Sequence, residues 1–200
     1  MVTSTREPKP EVRAANLVLA RLTVVALMGL PGAGKSTVAA HLATKLGVRR
    51  VDRDEIRAAL FPRCDYSVLE KRAAFRSLLH ALEVNCALGH SSVIDGMTFS
   101  RRRDLERVAR TVEPFNARLL PIWLEVPPDV ARARIARDLA AGTPHVAADR
   151  TPGLVDEILQ RLQAPDSRVV VVDAAKPVDE VCALALRIVG GFGTQPPRSA

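Results

Sequence analysis

The segment "GLPGAGKS", from Gly29 to Ser36, carries a glycine, a second glycine five residues on, a lysine and a serine at the spacing GxxxxGK[ST]. Those residue types have one shared use. Glycines let successive backbone N–H groups curl round phosphate oxygens, the lysine sets a positive charge between terminal phosphates, and the hydroxyl ligates a divalent cation. The spacing therefore predicts a nucleoside triphosphate with Mg2+ held by Gly29, Gly32, Ala33, Gly34, Lys35, Ser36 and Thr37. A second constellation follows in "VDRDEIRAALF", where Asp54 and Arg57 stand three residues apart and share one face of a helix. A carboxylate there accepts a proton from an attacking hydroxyl, and the guanidinium grips an anionic group of the same substrate. The competing reading is an ordinary surface ion pair.

The elements that must position these groups are legible in the apolar runs. Residues 22–28, 48–52, 92–95, 118–126 and 168–173 are rich in β-branched residues and lack strict polar alternation, as strands buried on both faces do. Helical patterns follow Lys35, Arg53, Ser67, Arg101, Pro128, Pro152 and Pro177 in turn. Such βα alternation predicts an α/β protein, a three-layer doubly wound parallel sheet of five strands, with ligands at the carboxyl ends of the strands. Asp52, Asp95 and Asp173 close three of those strands. Asp95 reads as a functional carboxylate, and Asp173 as an exposed turn carboxylate. Residues 1–16 read as a flexible arm, 17–190 as one domain, and 191–200 as a flexible tail.

The whole-chain totals narrow the partners. Among 200 residues, 29 Lys and Arg against 22 Asp and Glu give a net charge of +7, which favours anionic partners. Aromatic residues make up only 4%, which argues against a stacking platform for single-stranded nucleic acid. The three cysteines, with no CxxC pair, predict reduced thiols and a cytoplasmic protein. The basic residues before the run at 17–30 suggest a secretory signal, but Arg21 interrupts it and no convincing cleavage site follows; the run is also too short to span a bilayer. No membrane partner is expected, and the oligomeric state is left open.

None of the three asparagines begins an NKxD motif and no DxxG follows the glycine loop, which points away from guanine and toward ATP. The chain resembles the P-loop kinases of the polynucleotide kinase, adenylylsulfate kinase, gluconate kinase, chloramphenicol phosphotransferase and zeta toxin group, AAA-type ATP-binding small kinases. The resemblance rests on "GLPGAGKST", "DRDEIR", "SSVIDGMTFSRRRDLERVA", "WLEVPPDVARARIARD" and "ADRTPGLVDEILQRLQAP", and covers about residues 22–190. It implies a nucleoside-kinase-like P-loop NTPase fold and transfer of the γ-phosphoryl group of ATP to a hydroxyl. In that resemblance Lys35 serves the phosphates, Asp54 is base or substrate anchor, and Arg57 grips the acceptor. Asp95 orients Mg2+ through water, and Arg134 and Arg137 close a helical lid at about 128–152, with Arg132 the alternative by register. The acceptor is a small molecule or a polynucleotide 5′ end, the latter suggested by Arg49, Arg50, Arg53 and Arg57 and by Arg101, Arg102 and Arg103. A rival of another class is an ATP-binding switch module with slow hydrolysis and no acceptor.

Overall fold

The computed structural model describes residues 19–142, 147 and 150–194; the expected arm at 1–16 lies outside them, as do parts of the expected lid and tail. Five strands form one sheet: β1 (Thr23–Met28), β2 (Arg49–Asp52), β3 (Ser92–Asp95), β4 (Arg118–Glu125) and β5 (Val170–Asp173). Every pairing is parallel, in the order β2-β3-β1-β4-β5. The helices are α1 (Lys35–Leu46), α2 (Arg53–Leu60), α3 (Val68–Ala87), α4 (Arg102–Val112), α5 (Pro128–Ala140), α6 (Gly153–Leu159) and α7 (Val178–Thr194). Helix α7 thus runs four residues past the tail boundary expected at 190.

Strand β1 is central because it can be: all six of its residues are buried, so it needs cover on both faces. Its alternation divides the core. Val25 and Leu27 face α1, α5, α6 and α7, packing with Leu42, Ile135, Val155 and Ala185. Val24, Ala26 and Met28 face α3 and α4, packing with Leu78, Leu82 and Val108. Each fully buried Leu or Ile contributes about 1.5–3 kcal/mol by leaving water, enough in sum to fix the three layers.

Helix α1 leaves β1 toward one face, and α4 leaves the adjacent β3 toward the other. Loops that part in this way open a crevice beyond the strands' carboxyl ends. That crevice is where the glycine loop lies. Among the described residues, no helix is long and apolar enough to cross a membrane.

Candidate active site

A cleft of about 850 Å³ opens at this end, lined by residues 31–38 of the loop, by Asp54 and Arg57, by Asp95, and by residues of α5, α6 and α7. The loop's glycines do different jobs. Gly34, at φ +89°, faces open space, so its backbone is free to meet a phosphate. Gly32, at φ +82°, lies where a Cβ would sit 2.6 Å from the Ala131 carbonyl oxygen, because α5 crosses directly against the loop. Gly29, also expected at the nucleotide, stands apart from the cleft lining, and its close neighbour is the Leu124 carbonyl of β4. Its own carbonyl accepts from Lys35 Nζ at 3.0 Å, and that of Leu30 accepts at 2.7 Å. Lys35 is thus parked against the loop it serves.

Burial pushes the Lys35 ammonium down to about 8, partly offset by the negative charge of Asp95 and, more weakly, of Asp54; Arg150 lowers it further. In the unfolded chain the group keeps its proton up to about 10.5, so between the two values the unfolded state binds more protons and stability rises with pH. The penalty for burying the charge, roughly 3 kcal/mol, is fully present below about pH 8. Bound phosphates restore the charge. Nucleotide binding at pH 9 is therefore expected to take up about one proton, and at pH 6.5 almost none. Calorimetry in buffers of different ionisation enthalpy reads this directly, and uptake that does not change with pH would exclude Lys35 from the phosphates.

The pair expected on the metal side, Ser36 and Asp95, meets directly. Ser36 Oγ donates to Asp95 Oδ1 at 3.1 Å, across 59 residues of sequence, and the Gly96 N–H donates to the same oxygen at 2.7 Å. Asp95 is completely buried at the end of β3. Among the described residues, no group of three or more His, Cys, Asp or Glu is arranged so that it could hold a metal ion by itself. The hydroxyl–carboxylate pair beside a phosphate cradle fits a hard cation that takes its remaining oxygen ligands from phosphate and water. Asp173, by contrast, accepts from the Ala175 N–H in an exposed turn.

Asp52 ends β2 and caps α2, its Oδ1 accepting from the N–H groups of Asp54 (2.8 Å) and Glu55 (3.4 Å). That cap starts the helix where Asp54 and Arg57 face the cleft. Their ion pair, Oδ1 to Nη2 at 3.2 Å, is not a surface pair: the side chains are 13% and 3% exposed. Arg53 adds a second contact to Asp54 Oδ1 at 3.0 Å. Behind Arg57 the Tyr66 ring stacks 4.5 Å from the guanidinium carbon. Tyr66 is placed by the N-terminal cap of α3, in which Ser67 Oγ receives the Glu70 N–H and the Glu70 carboxylate receives the N–H groups of Asp65 and Tyr66, just before the cap. Phe99 and Trp123 belong to the core.

In α5, Arg134 reaches the Gly32 carbonyl (3.5 Å) and the Ala174 carbonyl (3.0 Å), tying the glycine loop to the segment after β5. Arg137 also lines the cleft but is 76% exposed. Arg132 pairs instead with Asp156 of α6 at 2.7 Å, outside the cleft. Arg150 lines the cleft and pairs with Asp138. The expected basic rim needs correcting: Arg49, Arg50, Arg101, Arg102 and Arg103 do not line the cleft, because Arg50 turns back to Asp95 and the other four project from the surface. Lys71, Arg161 and Lys176 line it, and no local spacing marks them. Nine Lys and Arg thus face three Asp in the lining.

Comparison with known proteins places this fold. Residues 24–165 match the AAA_33 family model, an AAA domain, and the chain belongs to that family. Its fold is that of the P-loop small kinases. Among solved structures it is similar to a gluconokinase from Sinorhizobium meliloti, with TM-score 0.63 and 18% identity over 86% of this chain and 95% of that one. It is equally similar to the Mycobacterium tuberculosis APS kinase in complex with AMPPNP and APS, with TM-score 0.63 and 18% identity over 84% and 98%. A shikimate kinase from Rhodopirellula baltica is 30% identical over 135 residues, which are 66% of this chain and 65% of the relative's length.

Proposed function

We propose that this protein is an ATP-dependent phosphotransferase that moves the γ-phosphoryl group of ATP to a hydroxyl of a small anionic acceptor. One observation carries the reading. The Asp54–Arg57 pair opens into the same cleft as Lys35 and Ser36, so a hydroxyl group and a triphosphate can meet there. A pure nucleotide switch has no use for a half-buried carboxylate held at that point. The relatives named as shikimate kinase, gluconokinase and APS kinase agree with a small acceptor.

In this reading Lys35 and the loop N–H groups of residues 32–37 hold the phosphates, with the apolar segment at Pro177 and Val178 beside the base. Ser36 and Asp95 would hold Mg2+, which neutralises phosphate charge when bound. Asp54 orients the acceptor hydroxyl and receives its proton, while Arg57 grips the acceptor's anionic group. The acceptor's charge follows from the lining. A magnesium-bound triphosphate offsets only about two of the six surplus positive charges, and the remainder favours an anion.

The lid arginines act differently. Arg134 links the loop to the segment after β5, so Arg134→Ala should weaken nucleotide binding and turnover together. Arg137 has no comparable anchor, so Arg137→Ala should lower turnover about tenfold or more while nucleotide affinity stays within about twofold. Steady-state kinetics beside calorimetry checks both, and an Arg137→Ala enzyme with full turnover removes it from the reaction.

The overall test uses γ-labelled ATP with separate pools of small carboxylates, phosphate esters, neutral alcohols and 5′-hydroxyl oligonucleotides. Faster ATP consumption with a labelled small anionic product is the expected result. Labelled oligonucleotide would move the acceptor to nucleic-acid ends, and slow hydrolysis unchanged by every pool would favour the switch.

A further inference from the structure

Arg50 stands two residues before Asp52 on β2, and side chains two apart on a strand share a face. The register of β2 on β3 sets Asp52 directly beside Asp95, two carboxylates that are 7% and 0% exposed. Like charges opposite each other on neighbouring strands repel, and burial sharpens the effect. The Asp52 carboxyl is accordingly held above its ordinary range by burial and then by Asp95. The guanidinium of Arg50 answers both. Its Nη2 donates to Asp52 Oδ2 at 2.5 Å and to Asp95 Oδ2 at 2.8 Å, its Nε donates to Asp95 Oδ2 at 3.0 Å, and Nη1 lies 3.3 Å from Glu55 Oε1. The two oxygens of Asp95 therefore have separate work. Oδ2 is taken by Arg50, and Oδ1 alone faces Ser36.

We propose that Arg50 is the resident counter-cation of the Asp52–Asp95 pair, a positioning residue that aims Asp95 Oδ1 at the metal and keeps the protein from binding a divalent cation before nucleotide arrives. This rests on the reading of Asp95 as a metal-side residue. In the free protein an arriving cation meets one carboxylate oxygen and one hydroxyl, with a fixed positive charge on the far side of the same carboxylate. Phosphate oxygens supply the missing ligands and the missing negative charge, so metal and nucleotide enter together.

Mn2+ titrated into the full chain, with free ion followed by electron paramagnetic resonance, tests this with and without the ATP analogue AMPPNP. The wild-type protein should bind Mn2+ appreciably only with the analogue. Arg50→Gln keeps hydrogen-bonding capacity and removes the charge, so its nucleotide-free Mn2+ affinity should rise at least about tenfold, the effect of deleting a unit charge about 5 Å from a dication. Arg50→Lys retains the charge and loses the multiple contact. It should stay silent toward Mn2+ alone, yet need at least about threefold more Mn2+ with the analogue. Circular dichroism checks that each variant folds, and Arg50→Lys carries the test if Arg50→Gln does not. Equal nucleotide-free affinity in wild type and Arg50→Gln, or an unchanged Mn2+ requirement in Arg50→Lys, overturns the proposal. Asp95→Asn separates the two levels. If it leaves Mn2+ binding with AMPPNP intact, Asp95 is not at the metal and the underlying reading falls as well; if it weakens that binding while the Arg50 variants behave as wild type, only the role of Arg50 falls.

Discussion

Lys35→Ala is expected to lower phosphoryl transfer at least about a thousandfold and to weaken ATP binding. A single preorganised donor on developing charge is worth about 2.7–4 kcal/mol, and this one is a full charge in a water-poor site. No other residue of the loop carries a positive charge, and the Lys35 ammonium is already aimed by the Gly29 and Leu30 carbonyls. Loss of that donor leaves two carbonyls without their partner, but it also removes a buried charge whose cost is greatest at neutral pH. The two terms oppose each other, so the melting temperature should move by only a few degrees. A transfer assay beside a thermal melt therefore separates lost chemistry from lost fold. Wild-type turnover in a folded variant would end the assignment of the loop.

Asp54→Asn should leave nucleotide binding within about twofold and lower transfer about a hundredfold or more. The amide keeps the size and one acceptor oxygen, so Arg57 retains a partner beside the Tyr66 ring, and only the charge that receives a proton is lost. Had the pair been exposed, the same change would cost at most about 1 kcal/mol of stability and no chemistry. With the Arg57 side chain 3% exposed, a stability cost of about 1–3 kcal/mol is expected in addition. Calorimetric ATP binding with a transfer assay distinguishes the cases. Transfer that survives with intact binding removes the proposed base; parallel loss of both makes Asp54 a structural or metal-side residue.

Local order was open to reading because it is written in local pattern. The apolar run at 22–28, short, β-branched and without polar alternation, reads as a strand covered on both sides, and it forms β1. The step from that run into "GLPGAGKS" requires a turn with positive φ, and Gly32 and Gly34 adopt it. Asp54 and Arg57 share a face because they are three apart on α2, and they meet at 3.2 Å. Arg134 and Arg137 are related by the same spacing, and both reach the cleft.

What the residues by themselves determined, then, is the set of strands and helices, the glycine loop and the acidic and basic pair that follows it. These depend on spacings within one turn or one strand. Only the tertiary structure decided which charges face inward. It turned Arg50 away from the rim and onto Asp95, 45 residues distant, because parallel register sets Asp52 and Asp95 side by side and their repulsion calls for a cation. It brought Lys71 of α3 and Arg161, in the turn after α6, to the cleft. It also gave Gly29 and Gly32 the task of admitting β4 and α5 against the loop, while Gly34 alone of the three glycines kept open space for a ligand. Such decisions rest on packing between elements far apart in the chain, and no local spacing encodes which of several similar arginines that packing will turn toward the site.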